Sequence, residues 1–335
     1  MFKTTLLCLL SIFFVFSCTS VEEPASSFEL SPVREILLND IYNPYRIAIA
    51  GDGRILVLDQ ADNTIKIFDR EGTLLTTAGG RGSGPGEFEN PMSVGYGEGL
   101  FVVGESLGTF SVFSDNGSFI HSFYTIPFIG HLNADVRILP DSTIIIGGIR
   151  FETEEKSKGK ILLVHNYAID GMYRSSYFTL SEIAIELQLT GFYGSMIGIG
   201  RNNTVYDVQP MEYRIGVFKP DGETVGQFDH VPDYFRTIKE PMPKPDERTT
   251  INEWFGSFDT ISGIFVANDS LLAIQLLHKG KNIIDLLQKS DGKSVSSIET
   301  EQRLSYIDRE GYFYFISPLR DEPSAVIEIF ELIGR

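Results

Sequence analysis

Cysteine is nearly absent from this 335-residue chain, with only Cys8 and Cys18 present. Cys8 lies inside an N-terminal apolar run that reads as a removable leader, so at most one thiol remains and no disulfide forms. An exported chain of this kind must be held by its core alone, which about 300 residues can supply. Basic residues are scarce as well. Against 45 Asp and Glu stand 28 Lys and Arg, for a net charge of −17. Nucleic-acid binding needs clustered cations against phosphate, and this balance excludes that class. Tryptophan occurs once, at Trp254, and the five histidines show no metal-ligand spacing. Helical periodicity is rare too: only Ser181–Leu189 and Asp233–Glu240 read as short helices.

What is present begins at the N-terminus. Met1–Thr5 carries one charge, Lys3, and Leu6–Phe16 is apolar. That run is too short for a spanning helix and reads as a secretory signal peptide over residues 1–17. Val15-Phe16-Ser17-Cys18 resembles the lipobox of bacterial lipoproteins. The resemblance implies cleavage before Cys18, lipid on its thiol and acylation of its new amine, which leaves no thiol for catalysis or metal binding. Residues 18–27 then form the lipidated Cys and a polar, flexible tether. Glu22-Glu23 is similar to the surface-export signals of some Bacteroidetes lipoproteins. The expected location is the bacterial cell envelope: lipid-anchored to the outer membrane, periplasmic or surface-exposed.

From Phe28 onward, short apolar runs alternate with Gly, Asp, Asn and Pro. Arg46–Ala50, Arg54–Asp59, Thr64–Phe68 and Thr73–Ala78 read as four strands joined by tight turns. The third strand and its turn recur as IKIFDREG at Ile65, FSVFSDNG at Phe110, LLVHNYAIDG at Leu162, IGVFKPDG at Ile215 and IDLLQKSDG at Ile284. Each repeat ends in a turn glycine: Gly72, Gly117, Gly171, Gly222 and Gly292. A sixth unit from Arg303 has three strands, while Phe28–Leu38 offers a spare one. A period of this length, with four strands per unit, predicts an all-β six-bladed propeller over residues 28–335. The N-terminal strand is expected to complete the last blade and remove an open edge.

Gly79–Pro91, GGRGSGPGEFENP, resembles the linker between NHL repeats, and ILVLDQADNTIKIFDREG resembles the body of one. The whole chain resembles the six-bladed TolB-like propeller lipoproteins of the Bacteroidetes type. The resemblance implies fold and location. NHL-like lyases hold zinc with histidines from different blades, and related six-bladed lactonases hold a divalent ion with carboxylate and amide oxygens. His131, His230 and His278 are the candidates such a zinc or calcium site would use here, although the expectation is no cofactor.

Strand polarity places the long connections, Arg150–Lys160, Leu180–Gly191 and Asp229–Phe258, on one rim, opposite a face of tight turns. Long insertions in compact domains are functional or disordered, so this rim is the expected binding face. The candidate contacts are Trp254, Phe255, Tyr234 and Arg236 in the long insertion, with Arg150, His278 and Arg320. Rigid aromatics beside cations suit an envelope protein, peptide or glycan. The alternative for Trp254 is a plug that packs over the propeller. Asp59 is expected to cap backbone amides. Glu105, Gln209, His278 and Arg320 near the matching place vary too much to suggest one repeated role. Ser195 sits in no nucleophile elbow, and Gly79–Gly86 lacks the residues of a phosphate loop. The leading expectation is a non-enzymatic binding module. A metal-dependent hydrolase or lyase with its site at the channel mouth is the alternative.

Overall fold

A computed structural model describes residues 27–125, 135–151, 160–189, 194–243, 248–320 and 322–334. The first strand, β1 (Phe28–Asn39), stands apart from its neighbours in sequence. Blade one follows as β2 (Pro44–Ile49), β3 (Ile55–Asp59), β4 (Thr64–Phe68) and β5 (Leu74–Gly79), and blade two as β6 (Pro91–Gly97), β7 (Leu100–Glu105), β8 (Thr109–Ser114) and β9 (Phe119–Tyr124). Blade three is β10 (Val136–Ile138), β11 (Ile144–Phe151), β12 (Ile161–Tyr167) and β13 (Tyr173–Thr179). Helix α1 (Glu182–Glu186) leads to blade four: β14 (Met196–Ile199), β15 (Val205–Gln209), β16 (Glu212–Phe218) and β17 (Thr224–Phe228). Helix α2 (Arg248–Ser257) precedes blade five: β18 (Thr260–Val266), β19 (Leu271–His278), β20 (Lys281–Gln288) and β21 (Ser294–Thr300). The last blade contains β22 (Leu304–Ile307), β23 (Phe313–Pro318) and β24 (Ser324–Gly334).

All six sheets are four-stranded and antiparallel, and the last has the order β1-β24-β23-β22. The chain is a six-bladed β-propeller closed by its N-terminal strand, as the spare strand predicted. The register sets Ile36 opposite Ile327 and Leu38 opposite Ala325. Both side chains are buried in a seam with Ile47, Ile49, Val57 and Phe68 of blade one and Tyr314 and Ile329 of blade six. The next seam joins Leu56, Leu58 and Ile67 of blade one to Phe88, Phe101 and Phe113 across it. Strands covered on both faces read as continuous apolar runs. Thus β3 and β4 are buried along their whole length, whereas β5 at the rim is mostly exposed.

The turn glycines serve two purposes. All five have positive φ, from 72° to 92°, where a Cβ is disfavoured. Each also abuts the outer strand of the preceding blade. A Cβ on Gly222 would lie 2.4 Å from the Tyr177 ring, and one on Gly292 would lie 2.4 Å from Phe228. The repeated glycine is therefore a blade-packing signal as well as a turn signal.

One helix prediction needs correction. Ser181 does cap a helix, its Oγ accepting from the Ala184 N–H at 3.2 Å, although α1 is shorter than expected. Residues 233–240 are not helical, and the helix of this insertion is α2. The Phe235 N–H donates to the Pro232 carbonyl, and the Arg236 N–H goes to the side chain of Asp259. Partners outside the local ladder hold this segment irregular while Phe235 and Ile238 are buried.

Candidate functional site

Three of the polar residues at the ends of the second strands, Asp59, Glu105 and Gln209, share one job. Asp59 is fully buried and accepts from the backbone N–H groups of Tyr42, Asn43 and Ala61 at 2.8, 2.8 and 3.1 Å. Lys66 Nζ lies 2.9 Å from the same carboxylate. Burial opposes the charged form of Asp59, but Lys66 and the backbone donors overcome it and hold its pKa below the usual carboxylate value. Glu105 accepts from the N–H groups of Glu89 and Asn90, and Gln209 from that of Ser181. In each case the acceptor clamps the crossover that enters its own blade. Chemically different side chains thus cap equivalent amides in blades one, two and four, while His278 and Arg320 do not, in keeping with the expectation that the role is not repeated in every blade.

Blade five uses a variation. Asp259, just before β18, is fully buried. Arg236 binds it through Nε and Nη2 at 3.0 and 2.7 Å, and the Arg236 N–H donates to its other oxygen at 2.9 Å. His278 Nδ1 lies 2.7 Å from Asp259 Oδ2, and the Tyr234 ring meets His278 edge-on at 5.5 Å. Burial raises the Asp259 carboxyl, but Arg236 and His278 outweigh it and its pKa lies low. Arg236 Nη1 also donates to the Gly256 carbonyl at 2.7 Å, which fastens the end of α2. The fold thus brings together Tyr234, Arg236 and His278 of the expected contacts, with the Asp259 carboxylate binding Arg236 and His278.

Trp254 is placed differently. It is 5% exposed and packs with Leu180, Leu189, Met211, Ile238 and Phe258, while its Nε1 donates to the Glu240 carbonyl at 2.9 Å. That is the plug alternative, with Phe255 beside it 41% exposed. Arg150 belongs to blade three, buried over the Tyr173 ring at 4.0 Å and donating to Ser176 Oγ. Sequence reasoning missed its neighbour His165, whose Nδ1 meets the same Ser176 Oγ at 2.7 Å. Arg320 and His230 are exposed. Cys18 and His131 lie outside the described residues. Among the described residues, no three His, Cys, Asp or Glu side chains cluster to hold a metal ion.

A cavity of about 1130 Å³ opens on the tight-turn face, opposite the rim of long insertions. Its walls are the turns between first and second strands of all six blades, through Gly51, Gly99, Pro140, Asn203, Asn268 and Arg309. Ion pairs between blades fix the mouth. Arg54 bridges Asp52 at 2.8 Å and Asp115 at 3.0 Å, and Arg201 reaches Asp269 at 3.2 Å and the Arg309 carbonyl at 2.9 Å. Deeper in, Arg137 and Tyr306 line the cavity. Burial pushes the Tyr306 phenol up, with the Arg137 charge opposing it. No motif marks these residues, because they are spread over all six blades and meet only when the ring closes.

Comparisons agree with this architecture. A family model described as a six-bladed β-propeller matches residues 35–95. No curated protein matches significantly. Among solved structures, a duf4221 family member from Bacteroides vulgatus is similar at 12% identity and a TM-score of 0.67, covering 93% of this chain and all of that one. A candidate exported protein from Bacteroides fragilis is similar at 14% identity and a TM-score of 0.61, covering 92% of this chain and 95% of its own. Virginiamycin B lyase from Staphylococcus aureus is similar at 16% identity and a TM-score of 0.54, covering 92% and 100%. At such identities the likeness is one of fold, and this chain is similar to six-bladed propellers from bacteria.

Proposed function

We propose that this protein is an extracytoplasmic binding module: a six-bladed propeller of the TolB-like and NHL-like kind, tethered to the outer membrane by lipid on Cys18. In this reading residues 1–17 are a signal peptide, 18–27 the tether and 28–335 the propeller. The signal-like N-terminus and the exported Bacteroides neighbour support the location. No helix among the described residues is long and apolar enough to cross a membrane. Replacing Cys18 by Ala should abolish lipid labelling and detergent-phase partitioning; unchanged partitioning with a normally cleaved N-terminus would refute the anchor.

The observation that carries the binding role is the axial cavity. Its volume, about 1130 Å³, is a little above the roughly 300–1,000 Å³ common for ligand sites, and residues of all six blades converge on it. The long-insertion rim offers Phe255 and the edges of Tyr234 and His278, but Arg236 there is committed to Asp259. The ligand is therefore assigned to the axis, with a glycan or peptide as its class. Glycan and peptide arrays probed with the full-length chain in detergent test this. Gly51 lines the mouth, and a Cβ there meets nothing within 4 Å. Gly51→Trp should fold normally and lose the array signal. No bound element on either array would count against a binding module.

The hydrolase or lyase reading retains one favourable observation, the His278–Asp259 pair. Asp259 engages Nδ1, which leaves Nε2 to take a proton. Turnover of an array ligand that is lost in His278→Gln would favour it.

A further inference from the structure

A separate polar cluster lies at the outer edge of blade three. The register of β12 and β13 sets His165 directly opposite Ser176, so their side chains share one face of the sheet within reach of each other. The His165 ring is fully buried, and its Nδ1 lies 2.7 Å from Ser176 Oγ. The register of β11 shifts between Gly147 and Arg150, and such a bulge takes backbone out of the ladder and re-aims side chains. Here the Gly148 carbonyl lies 3.2 Å from His165 Nε2, and Arg150 Nη1 donates to Ser176 Oγ at 3.0 Å. The Tyr173 hydroxyl donates to the same oxygen at 3.0 Å, while its ring carries the Arg150 guanidinium at 4.0 Å.

These contacts fix the protons. A carbonyl only accepts, so His165 Nε2 carries the imidazole proton and Nδ1 keeps its lone pair. Arg150 and Tyr173 fill both lone pairs of Ser176 Oγ. The serine proton therefore points at Nδ1, which is a hydroxyl held by a base. The Arg150 charge favours the alkoxide that loss of this proton creates. Arg150 is buried, Ser176 half-buried and Tyr173 38% exposed. The oxygen is thus approached from solvent past the phenol. Rotation of the Tyr173 O–H about its C–O bond frees one lone pair of Oγ and turns that donor toward the oxygen of an incoming carbonyl.

We propose that Ser176 is a nucleophile for acyl transfer from esters, with His165 as its general base and Tyr173 as the oxyanion donor. Ser176 Oγ forms a bond to the acyl carbon while its proton passes to His165 Nδ1. The ester C–O bond then breaks, and the departing oxygen takes that proton and leaves as the alcohol. A water molecule next attacks the acyl-serine as His165 Nδ1 takes one of its protons. The bond from Oγ to the acyl carbon breaks, the proton returns to Oγ, and a carboxylic acid is released. The activity is independent of the axial cavity and of the His278–Asp259 pair.

Two probes test the site on the full-length chain in detergent: a biotinylated fluorophosphonate and p-nitrophenyl acetate. Intact mass and peptide mapping should show a single phosphonyl adduct, on Ser176, and the ester should release p-nitrophenol. Ser176→Ala should lose both signals. His165→Gln should react at least about 100-fold more slowly, the low end of what a general base contributes. Tyr173→Phe, which lacks the oxyanion donor, should react at least about tenfold more slowly. Ser175→Ala, whose hydroxyl meets Asn166 and not His165, should react like the wild type. Melting curves separate lost chemistry from lost folding; should His165→Gln fail to fold, Tyr173→Phe, at an exposed position, decides the matter. A serine that only clamps the sheet edge would give no adduct, or one that forms as fast in urea-denatured protein, or one whose rate is unchanged in the folded His165→Gln and Tyr173→Phe variants. Any of these outcomes would overturn the proposal, as would ester turnover that persists in Ser176→Ala.

Discussion

Closing the ring with β1 can be tested residue by residue, because alternate side chains of that strand have opposite surroundings. Leu38 is fully buried, Ile36 is 4% exposed, and Leu37 between them is 50% exposed. Leu38 sits in the seam where blade six meets blade one, among Ile47, Val57, Phe68 and Ile327. Truncating a fully enclosed leucine removes its transfer energy and leaves a cavity, so Leu38→Ala should cost about 3–5 kcal/mol. Ile36→Ala should fall in the same range. Leu37→Ala removes a half-exposed side chain and should cost under about 1 kcal/mol. The sum of the two buried losses approaches the whole stability of a typical domain, about 5–15 kcal/mol. Urea unfolding followed by circular dichroism gives the three values, with equal slopes confirming that only stability has changed. A costly Leu37→Ala beside a mild Leu38→Ala would refute the register, since a one-residue slip exchanges the two faces. Three small values would show that β1 is not what closes the ring.

Other consequences follow from the buried charges and the plug. Asp59→Ala should cost about 3 kcal/mol, because it leaves the buried Lys66 ammonium only the more exposed Asp62 carboxylate and the Asp40 carbonyl and uncaps the crossover at Tyr42 and Asn43; chemical denaturation measures it, and a loss below about 1 kcal/mol would contradict the clamp. Asp207 is fully buried, with no ion pair among the described residues, and burial pushes its carboxyl well above the usual range. A folded-state pKa above the unfolded value of about 3.9 costs stability progressively as pH rises past that value. Asp207→Asn should therefore match the wild type near pH 4 and melt higher at pH 8; a variant that melts lower at pH 8 would be inconsistent with a neutral Asp207. Trp254→Ala should lower stability by about 3–5 kcal/mol while Phe255→Ala changes it little, which equal melting curves for the two would disprove.

Local rules wrote most of the fold into the sequence. Gly72, Gly117, Gly171, Gly222 and Gly292 were visible because the turn needs positive φ, and their contact with the preceding blade keeps their spacing regular. The closing strand was visible because Ile36 and Leu38 alternate with exposed neighbours, as a half-buried strand must. The helix of the long insertion was misplaced because Asp259, remote from Arg236 in sequence, takes the hydrogen bond that a helix would have used. The shared capping by Asp59, Glu105 and Gln209 was hidden because any short acceptor can serve a backbone amide. The axial site was hidden for a topological reason. The turns that line it come from six separate blades, and only the closed ring brings them together.

The central claim is that the ligand binds on the propeller axis and not on the rim of long insertions. The most direct measurement is the dissociation constant of the tightest array ligand for the wild type, Gly51→Trp and Phe255→Ala. The account predicts at least about a tenfold loss in Gly51→Trp, or roughly 1.4 kcal/mol, and no change beyond about twofold in Phe255→Ala. Unchanged affinity in Gly51→Trp with a loss of that size in Phe255→Ala would contradict it and place the site on the rim.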